Sequence, residues 1–153
     1  MTIKHIWSIL CKESIINQDD NVISLNGVLE QLNSTLTPIN EIQKPEKIAL
    51  PLSYEIVSFW TKEVDKEVNL SIKITLVDPK GNQLEEILNN AIFPKESMRL
   101  RTRFKIQGLP VSENGIYLFK VSLRIEKNKE FKIASEIPLE VKYTILPFQK
   151  SKS

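Results

Sequence analysis

Val68-Asn69-Leu70-Ser71-Ile72-Lys73-Ile74-Thr75-Leu76-Val77 is the stretch that decides the fold. Val68, Leu70, Ile72, Ile74 and Leu76 fall on one side, and Asn69, Ser71, Lys73 and Thr75 on the other. Successive side chains of a strand point to opposite faces, so this alternation describes a strand with one buried face and one wet face. Asp78-Pro79-Lys80-Gly81-Asn82 follows at once. Proline presets the first turn angle, and Gly81 supplies the positive φ that closes a hairpin.

The same rhythm runs outward in both directions. It predicts about eight strands, at 3–11, 22–32, 48–60, 68–77, 83–93, 98–107, 116–126 and 131–143. Gly27 inside the second marks a bulge or a close backbone approach, and Pro51 inside the third suggests an edge strand or a late start. Segment 83–93 contains Leu84-Glu85-Glu86-Ile87-Leu88-Asn89-Asn90, which reads equally as a strand or a short helical turn. A long connection holds Pro38 and Pro45, and Lys127-Asn128-Lys129 turns between the last two strands. The expected fold is all-β: a single antiparallel β-sandwich, immunoglobulin-like or Greek-key. One domain is expected over 1–148, with a polar, frayed tail at 149–153. Ile3, Trp7, Ile9 and Cys11 share odd positions, which places Trp7 and Cys11 between the sheets.

Composition agrees. The chain has 153 residues, 41% hydrophobic and 26% charged, which suits one globular domain. No apolar run approaches the ~20 residues that span a bilayer. The single cysteine, Cys11, cannot form an internal disulfide and reads as a small buried hydrophobe. Ile6 to Cys11 loosely imitates a lipoprotein signal. The apolar stretch is shorter than the ~7–15 residues of a signal core, and bulky Leu10 precedes the cysteine. A first strand and a cytoplasmic protein are the expectation.

Glu113-Asn114-Gly115-Ile116-Tyr117 leads into the alternating run Phe119, Val121, Leu123, Ile125. It has the form of a tyrosine corner, in which a tyrosine entering the penultimate strand hydrogen-bonds back to the preceding loop. A plain Asn-Gly turn before a core tyrosine is the other reading.

Several chemistries find no residues. One histidine and one cysteine cannot build the usual zinc sites. His5 is the only base for a serine or cysteine nucleophile, and it reads as a packed structural side chain. The four glycines lie far apart, so no phosphate-cradling loop exists. Asp19-Asp20 and Glu85-Glu86 read as solvated turn or face residues, because the loop lacks a calcium-binding register. Neither a metal, a cofactor nor a catalytic constellation is expected.

One electrostatic feature stands out. Residues 95–132 carry ten basic and four acidic side chains, a net +6, whereas the rest carries eleven and fifteen, a net −4. Met98, Leu100, Phe104 and Ile106 are expected to face the core, which lines up Arg99, Arg101, Arg103 and Lys105 on the other face. Such a ladder suits phosphate or carboxylate ligands. The competing reading is a solvated face paired with Glu30, Glu55 or Glu136. Nucleic acid would call for interleaved exposed aromatics, and these are missing.

Ile6-Trp7-Ser8-Ile9-Leu10-Cys11, a polar loop, and Val22-Ile23-Ser24-Leu25-Asn26-Gly27-Val28 resemble the opening of a bacterial family of small β-sandwich proteins known only as a domain of unknown function. Leu76 to Asn82 and Gly115-Ile116-Tyr117 fit the same pattern. The resemblance implies a cytoplasmic β-sandwich and supplies no catalytic residues. Together these readings lead to a non-catalytic module for protein interaction or assembly. The alternative is a binding protein for an anionic ligand using Arg99, Arg101, Arg103 and Lys105, and an enzyme stands third.

Overall fold

The alternating stretches become strands in a computed structural model that describes residues 3–37, 48–126 and 130–147. In chain order they are β1 (Ile3–Ile16), β2 (Ile23–Val28), β3 (Gln31–Leu36), β4 (Ile48–Lys62), β5 (Val68–Val77), β6 (Gln83–Phe93), β7 (Arg99–Val111), β8 (Gly115–Ile125) and β9 (Lys132–Ile145). They form a four-stranded sheet ordered β2-β1-β4-β7 and a five-stranded sheet ordered β3-β9-β8-β5-β6. Segment 83–93 is strand throughout, paired along β5. The expected proline-bearing connection, the 127–129 turn and the 149–153 tail lie outside the described residues. No helix among the described residues is long and apolar enough to cross a membrane.

The ninth strand arises where the expected second one breaks. Leu29 and Glu30 carry the chain from one sheet to the other. The Leu29 N–H donates to the Leu10 carbonyl (2.8 Å), and the Glu140 N–H donates to the Glu30 carbonyl (3.1 Å). Leu29 is buried at this crossing. β2 therefore pairs antiparallel with β1, while β3 runs parallel to β9, so the sandwich is not wholly antiparallel. Local alternation marks both halves as strand and says nothing about a change of sheet between them.

Pro51 lies where β4 is locally an edge. β4 lies inside its sheet, but β1 pairs only with its later part, Glu55 to Lys62. Around Pro51 the sole strand neighbour among the described residues is β7, and the ladder with β7 shifts register between Leu50 and Ser53. The missing proline N–H falls in that irregularity, where no ladder bond is lost.

The core fills the space between the sheets. Ile56, Trp60 and Phe104 from one sheet meet Leu70, Ile72, Tyr117, Phe119 and Leu139 from the other. Burying side chains of this size removes apolar surface from water at roughly 25 cal/mol per Å². The Trp60 indole N–H is satisfied by the Thr102 hydroxyl (3.0 Å). Met98 does not join the core; it precedes β7 and stays exposed.

Tyr117 makes the corner. Its hydroxyl accepts from the N–H groups of Ser112 (2.9 Å) and Glu113 (3.0 Å) and donates to the Glu113 carbonyl (2.5 Å). Gly115 sits at φ +146°, and a Cβ there would lie 2.8 Å from Pro79, so only glycine fits. Asp78 ties the neighbouring turn, accepting from the N–H groups of Lys80 and Asn82 (2.9 and 2.8 Å) and from the Ser112 hydroxyl (3.2 Å).

Candidate functional site

A one-residue bulge in β1 sets up the site. Its pairing with β4 shifts register between His5 and Trp7, leaving Ile6 as the extra, exposed residue. Before the bulge, Ile3 and His5 face inward, and His5 meets the Trp60 ring edge-on at 5.1 Å. After it, Leu10 faces inward, and Trp7, Ile9 and Cys11 turn outward. A single inserted residue flips every later side chain to the opposite face. Trp7 is therefore half-buried on the outside of the four-stranded sheet, not between the sheets. Trp60 is the tryptophan of the core.

The registers of β1, β4 and β7 order that outward face into rows. Lys4, Thr61 and Arg99 form one; Trp7, Phe59 and Arg101 the next; then Ile9, Val57 and Arg103; then Cys11, Glu55 and Lys105. Rows lie about 7 Å apart along the strands. Trp7 and Phe59 touch, with ring centroids 5.8 Å apart.

Beyond Cys11, β1 leaves β4 and carries β2 back across this face. Glu55 holds it there: one carboxylate oxygen accepts from the Ser14 N–H (2.5 Å) and the other from the Ser14 hydroxyl (2.8 Å). Gly27 allows the close approach, since at φ +67° a Cβ would meet the Lys12 side chain at 3.0 Å. Val57, Cys11 and Glu55 are buried beneath the hairpin. Burial, and then the nearby Glu55 carboxylate, push the Cys11 thiol pKa up, which disfavours the reactive thiolate.

The rows left open form a cleft of about 380 Å³. Trp7 and Phe59 are its floor, Ile16 and Ile23 of the hairpin one wall, and Arg99 and Arg101 the other. Pro94 and Ser97 close one end. Lys62 fixes that end from behind: its buried ammonium donates to the carbonyls of Lys66 (2.7 Å), Pro94 and Lys95 (3.3 Å) and lies over the Phe93 ring.

The ladder expected from sequence is present on this face. Among the described residues, no carboxylate lies within 4 Å of Arg99, Arg101, Arg103 or Lys105. Arg101 donates to the Asn21 carbonyl (2.5 Å) and its side-chain oxygen (3.4 Å), and Arg103 to the Ser14 hydroxyl (3.3 Å). Glu55 stands opposite Lys105 in the register, but both its oxygens serve Ser14. Sequence alone finds the cations and misses the aromatic floor, because the bulge that turns Trp7 outward has no local signal.

The other candidates make local hydrogen bonds. The His5 ring bonds the Ser8 hydroxyl (2.7 Å), which in turn meets Ser58 (2.6 Å), and no carboxylate joins that chain among the described residues. Burial lowers the His5 pKa, partly offset by a backbone hydrogen bond with Trp7. Asp19-Asp20 sits in a turn where the Val22 N–H donates to Asp20 (3.0 Å). Among the described residues, no three His, Cys, Asp or Glu side chains cluster as metal ligands.

No family model matches this chain, and neither does any curated protein. Solved structures do resemble it. The crystal structure of the C-terminal domain of Wzt is 14% identical, with a TM-score of 0.50, covering 93% of this chain and 74% of that one. At that identity the likeness shows the fold alone. A family 123 glycoside hydrolase from Clostridium perfringens (10% identity, TM-score 0.47) is matched over 96% of this chain but 28% of its own. A Bacteroides uniformis β-glucuronidase (16% identity, TM-score 0.43) is matched over 63% and 12%. These two partial overlaps carry no argument about activity.

Proposed function

We propose that this protein is a non-catalytic interaction module that binds an anionic partner on the outward face of its four-stranded sheet. The observation that carries this reading is a row of cations that has no carboxylate partner among the described residues, beside an open cleft floored by Trp7 and Phe59. Cations held apart on a sheet face repel one another modestly in water, and a bound anion relieves that repulsion. Guanidinium groups pair with carboxylate or phosphate oxygens in two parallel hydrogen bonds. The aromatic floor adds apolar contact for whatever carries the anion. No assembly of nucleophile, base and orienter supports an enzyme.

The finer fold reading is an immunoglobulin-like sandwich, supported by the Tyr117 corner between β7 and β8. We also place the protein in the cytoplasm, on the strength of one buried thiol and the family resemblance.

The test is retention on immobilised poly-L-glutamate at low and high salt. The wild-type protein should bind in a salt-sensitive way, and a variant with R99Q, R101Q and K105Q should fold normally and lose binding. Equal retention of the two proteins would overturn the assignment.

A further inference from the structure

The cations lie on an edge strand, and their backbone orientation is as specific as their charge. β7 ends its sheet, with β4 on one side only. The Lys62 N–H donates to the Met98 carbonyl (3.2 Å), which identifies that opposed pair as hydrogen-bonded. In an antiparallel ladder bonded and non-bonded pairs alternate. The even residues of β7, from Leu100 to Ile106, therefore bond to β4 in unbroken register. The odd residues turn their N–H and C=O groups away from β4, toward the free edge. Those odd residues are the cations and Gln107. The Ser97 hydroxyl already donates to the Arg99 carbonyl (2.6 Å). Among the described residues nothing bonds the edge-facing backbone groups of Arg101, Arg103, Lys105 and Gln107, and no proline interrupts 99–109.

We propose that this edge accepts a further strand: an extended acidic segment of a partner protein, with Asp or Glu at alternate positions, adds beside β7 opposite Arg101, Arg103 and Lys105. The proposal rests on the reading of this face as an anion-binding surface. Strand addition supplies affinity through main-chain hydrogen bonds and specificity through alternate side chains. Directly opposed side chains on one sheet face have Cβ atoms about 5 Å apart, within reach of an arginine or lysine and a carboxylate. The intervening residues of the added segment would face inward, beside Phe104 and Ile106, and apolar ones fit there.

A second copy of this chain fits poorly. Paired with itself, β7 opposes cation to cation. β2 and β3 carry no acidic residue, and in β6 Glu85 and Glu86 are adjacent and point to opposite faces. A nucleic acid strand offers phosphates but no N–H and C=O groups at strand spacing. Cations on an edge strand also deter indiscriminate pairing. An alternating acidic segment is the one strand for which that deterrent becomes an attraction.

The experiment compares four probes against the full chain by calorimetry and amide hydrogen exchange. They are a peptide alternating glutamate with threonine and valine, a peptide of the same composition with its glutamates contiguous, the alternating peptide N-methylated at its glutamates, and an oligothymidylate of matched charge. In antiparallel addition the glutamate N–H groups face β7, so methylation removes the strand bonds and keeps the charge. The alternating peptide should bind about tenfold tighter than the contiguous one. Methylation should abolish that advantage, and the amides of Arg101, Arg103 and Lys105 should gain protection from exchange. Equal binding of all three peptides, or tighter binding of the oligonucleotide, would overturn strand addition and leave anion binding standing. Failure of every probe, with no difference between the wild-type protein and the triple variant, would overturn the anion-binding reading itself.

Discussion

On the outward face of the five-stranded sheet, Lys73 lies 3.5 Å from Glu86, and both Lys73 and Arg124 lie 4.4 Å from the Phe131 ring centroid, as cation–π pairs. On the outward face of the four-stranded sheet, Arg101 and Arg103 bond neutral oxygens of Asn21 and Ser14, and among the described residues no carboxylate lies within 4 Å of Arg99, Arg101, Arg103 or Lys105. Both faces carry cations, Lys73 and Arg124 on the five-stranded sheet and four alternate residues of β7 on the four-stranded one. The difference lies in what the neighbouring strands bring opposite. β6 sets Glu86 diagonally across from Lys73, opposite Thr75, whereas β4 sets Thr61, Phe59 and Val57 opposite the three arginines, and its one glutamate, Glu55, is spent on holding the hairpin. A matched face is a finished surface. An unmatched one is available to a partner.

The contrast between the two tryptophans is the largest effect by which this picture can be broken. Trp60→Ala should cost about 3–5 kcal/mol, since it empties the core and orphans the Thr102 hydroxyl. Trp7→Ala should cost no more than about 1.5 kcal/mol, because one side of the ring is already in water. Chemical denaturation of both variants measures this, and similar losses would put Trp7 back in the core.

Next comes the support of the cleft. Lys62→Met keeps the apolar stem but leaves the carbonyls of Lys66, Pro94 and Lys95 without their donor. It should destabilise the protein by about 1–3 kcal/mol and weaken anion binding although no ladder residue has changed. Wild-type stability in this variant would show that the ammonium fixes nothing.

The hairpin clamp is smaller. Ser14→Ala removes one hydrogen bond to Glu55 and the contact with Arg103, worth about 1–2 kcal/mol at a buried carboxylate. Faster hydrogen exchange at Val57 and Cys11 in this variant would confirm that the hairpin covers them.

The pH dependence has a definite sign. The His5 pKa is lowered from 6.5 by burial, so the unfolded chain binds the proton more readily than the fold does. This contribution to stability is complete above pH 6.5 and is lost as pH falls through the folded value. His5→Phe should flatten the stability profile between neutral and mildly acidic pH, and an unchanged slope would assign that slope to other groups. Smallest of all is the ladder. The R99Q, R101Q and K105Q triple variant should stay within about 0.5 kcal/mol of wild type, because exposed unpaired cations contribute little to folding.

The strands, the Asp78–Asn82 turn, the Tyr117 corner and the ladder were legible because each depends on residues within a few positions of one another. Three features were not. The break at Leu29-Glu30 is visible only once Leu10 and Glu140 are known to receive it. The register shift that accommodates Pro51 is set against β7, distant in sequence. The bulge at Ile6 changes no local alternation strongly enough to be read, yet it decides which tryptophan is core. The alternation of β7 therefore places its cations on one outward face from sequence, whereas the odd-position parity of β1 puts Trp7 on the wrong one.

Partners are proposed to bind the outward face of the four-stranded sheet. The most direct measurement is a nuclear magnetic resonance titration with the alternating acidic peptide, following the two indole N–H signals. The Trp7 signal, in the cleft that Arg101 also lines, should move progressively with peptide, while the Trp60 signal, bonded to Thr102 in the core, stays fixed. A titration that leaves Trp7 unmoved while amides around Lys73, Arg124 and Phe131 shift would contradict the claim and place the binding face on the other sheet.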